Sequence, residues 1–110
     1  MISIIGIGPG GYEDMTVRAV NAIKNADVVT GYRLYLDLVS DLITGKETFC
    51  TGMRGEVERC RKAAEFAVAG RNTALISSGD AGIYGMASLM LEILAPHPEV
   101  EVEIIPGVSA

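Results

Sequence analysis

No apolar run in this 110-residue chain approaches the roughly 20 residues needed to cross a bilayer, because Lys24, Asp27, Arg33 and Asp37 interrupt the candidates. The start, Met1-Ile2-Ser3, lacks a basic segment ahead of its apolar residues, so no secretory leader is expected. Basic residues are in short supply, nine Lys and Arg against fourteen Asp and Glu, for a net charge of −5. That balance argues against nucleic acid and anionic membranes as partners, since both reward basic patches. The single histidine, His97, lies between two prolines, and Ser77, Ser78 and Ser109 have no histidine near enough in sequence to propose a triad. The two cysteines, Cys50 and Cys60, lack C-x-x-C spacing. No bound metal is expected, and both thiols read as buried, reduced groups of a cytoplasmic protein. Also missing is any Gly-Lys-Ser/Thr after a glycine turn, which excludes a Walker phosphate loop.

What the chain has is apolar mass and glycine. Hydrophobic residues make up 49%, mean hydropathy is +0.33, and there are 13 glycines. A chain of this length forms one domain and buries roughly two-thirds of its unfolded surface. The apolar excess suggests a surface that meets another domain or subunit.

Strand and helix patterns alternate. Ile2 to Ile7 reads as a buried strand, followed by a helix near Met15 to Asn25 and a short strand Asp27 to Thr30. Leu34 to Ile43 reads as one helix ended by Gly45, and Glu47 to Cys50 as a weak strand. Gly55 to Ala69 is the clearest helix, with Val57, Cys60, Ala64 and Ala67 as its apolar stripe. Glu56, Glu58, Arg59, Arg61, Lys62 and Glu65 cover the remainder, and Gly70 supplies a left-handed stop. A strand at Thr73 to Ser77, a helix at Tyr84 to Leu94 and an edge strand at Val100 to Ile105 complete the order. The pattern predicts an α/β fold, a five-stranded parallel sheet flanked by helices with right-handed crossovers.

Three strands run into glycine turns: Gly6-Ile7-Gly8-Pro9-Gly10-Gly11, Ser77-Ser78-Gly79-Asp80-Ala81-Gly82 and Pro106-Gly107-Val108-Ser109-Ala110. Glycine lets main chain approach a ligand, and open α/β sheets bind ligands beyond the carboxyl ends of their strands. The three turns should therefore meet at one rim. Gly6, Gly8 and Gly11 satisfy G-x-G-x-x-G on spacing, but Pro9 removes an amide a pyrophosphate would use. The second strand also ends Val29-Thr30-Gly31, without the acidic residue that holds a dinucleotide's ribose.

With the turns in order, the chain resembles the amino-terminal domain of the two-domain tetrapyrrole methylases, which use S-adenosylmethionine. The resemblance rests on Gly6-Ile7-Gly8-Pro9-Gly10, Ser78-Gly79-Asp80 with Ile83-Tyr84-Gly85, and Ile105 to Ala110. Gly31-Tyr32-Arg33-Leu34-Tyr35 and Thr51 to Arg59 are similar to the branch that methylates ring carbon 17 of precorrin-3B, or its cobalt form, with ring contraction in cobalamin biosynthesis; another precorrin or cobalt-precorrin methylase of the same pathway, or a non-catalytic nucleotide-binding module, is the alternative reading. The resemblance implies a donor cleft between this domain and a second, mixed α/β domain absent from this chain. Without that domain the fragment is not expected to turn over. It implies donor contacts at Pro9, Ser78, Gly79, Asp80, Ile83, Ser109 and Ala110, with S-adenosylhomocysteine as product, and it implies a homodimer. Gly8 and Gly10 would then face the macrocycle. Ala81 departs from the family's usual proline after Gly-Asp.

Methyl transfer from a sulfonium needs positioning and exclusion of water more than a nucleophile or metal. Asp80 has two open readings: a partner for the donor's polar groups or its sulfonium, and an N-cap for a helix beginning near Gly82. Arg33 and Arg54 follow strands two and three and could pair with substrate carboxylates, or could be solvated. Tyr84, with Tyr12, Tyr32 and Tyr35, could pack on a flat macrocycle or on the protein itself.

Overall fold

Ile2, Ile4, Ile5 and Ile7 are all buried because the strand they form, β1 (Ile2–Ile7), is covered on both faces. The computed structural model describes residues 1–7, 15–52 and 55–106, with residues 78–82 described by their backbone only. After β1 come α1 (Val17–Asn25), β2 (Val28–Tyr32), α2 (Arg33–Leu38), α3 (Ser40–Ile43) and β3 (Glu47–Thr51). The second half is α4 (Glu56–Val68), β4 (Thr73–Ser78), α5 (Gly79–Ile93) and β5 (Val102–Ile105). All strand pairs are parallel, in the order β3-β2-β4-β1-β5. This is the five-stranded sheet that the alternating pattern predicts, with β5 at an edge.

The chain first travels outward from β1 to β2 and β3, then returns through β4 to β5. Right-handed crossovers in opposite directions place their helices on opposite faces. Two cores result. On one face Ile2, Ile4 and Leu75 pack with Cys60, Ala63, Ala64 and Ala67 of α4 and Ile83, Met86, Ala87 and Met90 of α5. On the other, Ile5, Ile7, Val29, Ala74 and Ile76 pack with Ala19 and Ile23 of α1 and with Leu36, Val39 and Leu42. Each fully buried aliphatic side chain contributes about 1.5–3 kcal/mol.

Local chemistry sets the helix ends. The Thr16 hydroxyl accepts from the Ala19 amide at 3.1 Å and caps α1. At the other end Lys46 Nζ donates to the carbonyls of Lys24 and Ala26 at 2.8 and 2.7 Å, a cation on the negative pole of the helix. Gly45 and Gly70 take φ of 82° and 91°, the left-handed stops expected of them.

Several elements depart from the sequence reading. The helix expected over Leu34 to Ile43 is broken at Val39. Leu36, Val39 and Leu42 are all buried, and a spacing of three keeps one face inward only if the helix tightens. It does so through Val39 N–H to Leu36 O and Leu42 N–H to Val39 O, at 3.1 and 2.9 Å. The second strand continues through Gly31 to Tyr32, which pair with Cys50 and Thr51 of β3, and α2 then packs so closely that an added Cβ at Gly31 would meet Leu36 and Ile76 at 3.2 Å. In α4 two roles are exchanged: Arg59 is buried and Val57 is 49% exposed. The fifth strand starts at Val102, since a turn closed by Val100 N–H to His97 O occupies its expected beginning.

The Cys60 thiol is buried, with Sγ 3.4 Å from Met86 Sδ. Burial pushes it from 9.0 up to about 11, with Glu56 adding to the rise and Arg59 opposing it. The neutral thiol is thus favoured more in the folded state than in the unfolded chain. Its contribution is whole below pH 9.0 and is lost as pH climbs toward about 11. Denaturant titrations across this window should show wild type losing about 2–3 kcal/mol more than Cys60→Ala. Parallel pH curves for the two proteins would refute the assignment. Cys50, half-buried, should react with thiol reagents in the native state ahead of Cys60.

Candidate functional site

The order β3-β2-β4-β1-β5 puts a topological switch between β1 and β4. The chain leaves β1 toward α1 on one face and leaves β4 into α5 on the other. Where neighbouring strands send their connections to opposite faces, a crevice opens beyond their carboxyl ends. Here those ends are in register, Ile7 opposite Ser78, and β5 flanks β1 with Ile105 opposite Ile5. The three strands that lead into the glycine turns are therefore adjacent, and all three end at one rim.

The β4 end differs from the turn expected there. Ser78 is the last strand residue and α5 starts at once with Gly79, so Asp80 is the second helical residue. The cap position ahead of Gly82 does not exist, and the N-cap reading of Asp80 is corrected accordingly. The helix extends this far because Ile83, Met86, Ala87 and Met90 form a buried i, i+3, i+4, i+7 stripe that outweighs the poor helix propensity of its glycines. Its first N–H groups lack intrahelical acceptors and open onto the rim.

Of the other expected site residues, Ile83 is fully enclosed in the α4–α5 core, so contact with a ligand falls to its main chain. Tyr84, next on α5, is 57% exposed. Arg33 is exposed and opens α2 at the end of β2, one strand beyond β4. Gly8, Pro9, Gly10, Arg54, Ser109 and Ala110 lie outside the described residues. Among the described residues no group of three or more His, Cys, Asp or Glu could hold a metal ion.

Two contacts at the rim go beyond the sequence reading, which names Tyr32 and Tyr35 but not their pairing and leaves Arg59 on the polar face. Tyr32 and Tyr35 stack edge to face at the end of β2, with ring centroids 5.1 Å apart and planes at 87°. Arg59 reaches from α4 to the end of β3, where Nη1 donates to Thr51 Oγ1 at 2.7 Å and to Gly52 O at 3.2 Å. Arg59 stands four residues before Ala63, on the buried face, and that spacing is visible in the sequence. Away from the rim, a surface cavity of about 590 Å³ lies between α4 and α5, lined by Arg61, Ala64, Glu65, Val68, Ile93 and His97. His97 pairs there with Glu99 at 3.4 Å.

Comparisons with known proteins agree with this geometry. The family model for Tetrapyrrole (Corrin/Porphyrin) Methylases matches residues 1–110. The probable cobalt-factor III C(17)-methyltransferase of Salmonella typhimurium is 51% identical over 111 residues, which is 100% of this chain and 46% of the relative. The crystal structure of the methyltransferase CobJ superposes with a TM-score of 0.82 at 34% identity, covering 99% of this chain and 46% of that one. The uroporphyrin-III C-methyl transferase from Thermus thermophilus, complexed with S-adenosylhomocysteine, gives a TM-score of 0.69 at 28% identity, covering 98% and 45%. The chain thus spans about half the length of these proteins.

Proposed function

Because the chain belongs to the tetrapyrrole (corrin/porphyrin) methylases, we propose that it is the donor-binding domain of an S-adenosylmethionine-dependent methyltransferase of cobalamin biosynthesis. Its acceptor is ring carbon 17 of a precorrin-3B-type macrocycle, methylated with ring contraction. The name of the 51%-identical relative favours the cobalt-bearing form. The observation that carries the reading is the switch point itself, Ile7 opposite Ser78 with α5 beginning directly at Gly79.

The groups at this crevice fit the donor. A helix amino terminus offers N–H groups to its carboxylate, and Ser78 and Asp80 are a hydroxyl and a carboxylate suited to its amino and ribose groups. Gly79 carries no side chain to hold the ligand off the main chain. Bound there, the donor supplies an activated methyl group. The protein's part is then to hold donor sulfur, methyl and acceptor carbon in line and to keep water away. Arg33 and Arg54 would meet acceptor carboxylates, Tyr84 would pack on the ring, and Pro9, Ser109 and Ala110 would complete the donor's surroundings with Ile83. Gly8 and Gly10 would face the macrocycle.

A second domain closes the cleft, and the protein works as a cytoplasmic homodimer. Exposed Val17, Leu34 and Leu38 supply apolar surface for such contacts. Calorimetric titration of the protein carrying both domains with S-adenosylhomocysteine should give one site per chain. No heat of binding from a protein with an intact melting transition would leave a non-catalytic module in its place.

A further inference from the structure

Arg59 is 7% exposed, and no described carboxylate pairs with it. Among the described residues its Nε has no hydrogen-bond partner. A buried cation is a poor stabilising device; an apolar residue of similar size commonly does as well or better. Both side-chain hydrogen bonds it makes among the described residues go to one place, the end of β3: Thr51 Oγ1 and Gly52 O. Gly55 N–H donates to the same Gly52 O at 3.2 Å, and Arg59 N–H donates to Gly55 O at 2.8 Å. Gly55 lies so close to Thr51 that an added Cβ would overlap the threonine side chain. Thr51, Gly55 and Arg59 interlock, and the guanidinium is the strut.

We propose that Arg59 is a positioning residue for the acceptor: it fixes the end of β3, Thr51 and Gly52, against Gly55 ahead of α4, at the rim on the β2–β3 side of the switch point. A donor seated between β1 and β4 leaves the neighbouring strand ends to a larger macrocycle. Thr51 is paired with Tyr32 in register, so this end of β3 stands beside Tyr32, which stacks on Tyr35. That part of the inference rests on the proposed methyl transfer, whereas the strut does not.

The test uses Arg59→Met and Thr51→Val in the protein carrying both domains. Thr51→Val keeps the charge and removes the hydroxyl, which accepts from Arg59 and donates to Gly52 O at 3.1 Å, so it serves if the first variant folds poorly. Amide hydrogen exchange at Gly55 and Arg59 should quicken about tenfold in both variants while the β1 and β4 amides keep their protection. Unchanged exchange overturns the strut whether or not methyl transfer is observed. In methyl-transfer assays KM for the macrocycle should rise about tenfold in both variants, with S-adenosylhomocysteine affinity within about twofold of wild type. KM unchanged, or donor and acceptor binding lost together with the melting transition, overturns the positioning role. A wild-type protein that binds neither ligand but shows the exchange difference removes the functional reading and leaves the strut standing.

Discussion

Asp80→Ala in the two-domain protein should weaken S-adenosylhomocysteine binding by roughly tenfold to a hundredfold while leaving the melting temperature nearly unchanged. The position dictates this. Asp80 is the second residue of α5, at the rim where β4 ends beside β1. A hydrogen bond to a charged group there is worth about 1.5–3 kcal/mol, or one to two decades in affinity. Removing an acidic residue from a helix's first turn costs only about 0.3–1 kcal/mol of stability. The isosteric Asp80→Asn separates the two ways a carboxylate can serve the donor. If it accepts bonds from the amino or hydroxyl groups, S-adenosylmethionine and S-adenosylhomocysteine lose affinity alike. If it balances the sulfonium, only the first carries that charge and it loses more. Both affinities within about twofold of wild type would remove Asp80 from the donor site.

Which parts of this molecule its sequence discloses follows from the range of the forces involved. The Ile run of β1 announces a strand covered on both faces, because hydrophobic burial acts on every residue of such a strand. Gly45 and Gly70 are legible because only a residue without Cβ takes a left-handed stop at no cost. That the three glycine turns share a rim follows from parallel topology alone, since each closes a strand of the same sense. The strand order could not be read, yet it is the order that sets β4 beside β1 and makes the crevice. The start of α5 was hidden for a different reason. Gly79, Gly82 and Gly85 argue locally for a turn, and the tertiary burial of Ile83, Met86 and Met90 overrides them. Arg59 was hidden by its charge, which suggests solvent, although its spacing from Ala63 and Ala67 matches the buried stripe. Its partners, Thr51 and Gly52, lie eight and seven residues upstream and meet it only once α4 folds back over β3.

Ile83 gives the converse of Asp80, and the pair together decides whether the rim has been described correctly. The Ile83 side chain has no exposed surface and packs among Leu75, Met86, Met90 and the α4 alanines. Ile83→Ala should cost about 2–5 kcal/mol, a large share of the 5–15 kcal/mol by which a domain is stable. The melting temperature should fall by roughly 8–20 °C. Well below that transition, S-adenosylhomocysteine affinity should stay within about threefold, because truncation leaves the main chain, the only part free to face the crevice. Thermal melts and calorimetry on the same preparations would check both numbers. A variant that melts like wild type but has lost the donor would mean that this side chain lines the ligand, and the division between core and rim at the start of α5 would have to be redrawn. A variant that loses stability and keeps the donor fits a site built from strand ends and helix amides, which a core defect several atoms below does not reach.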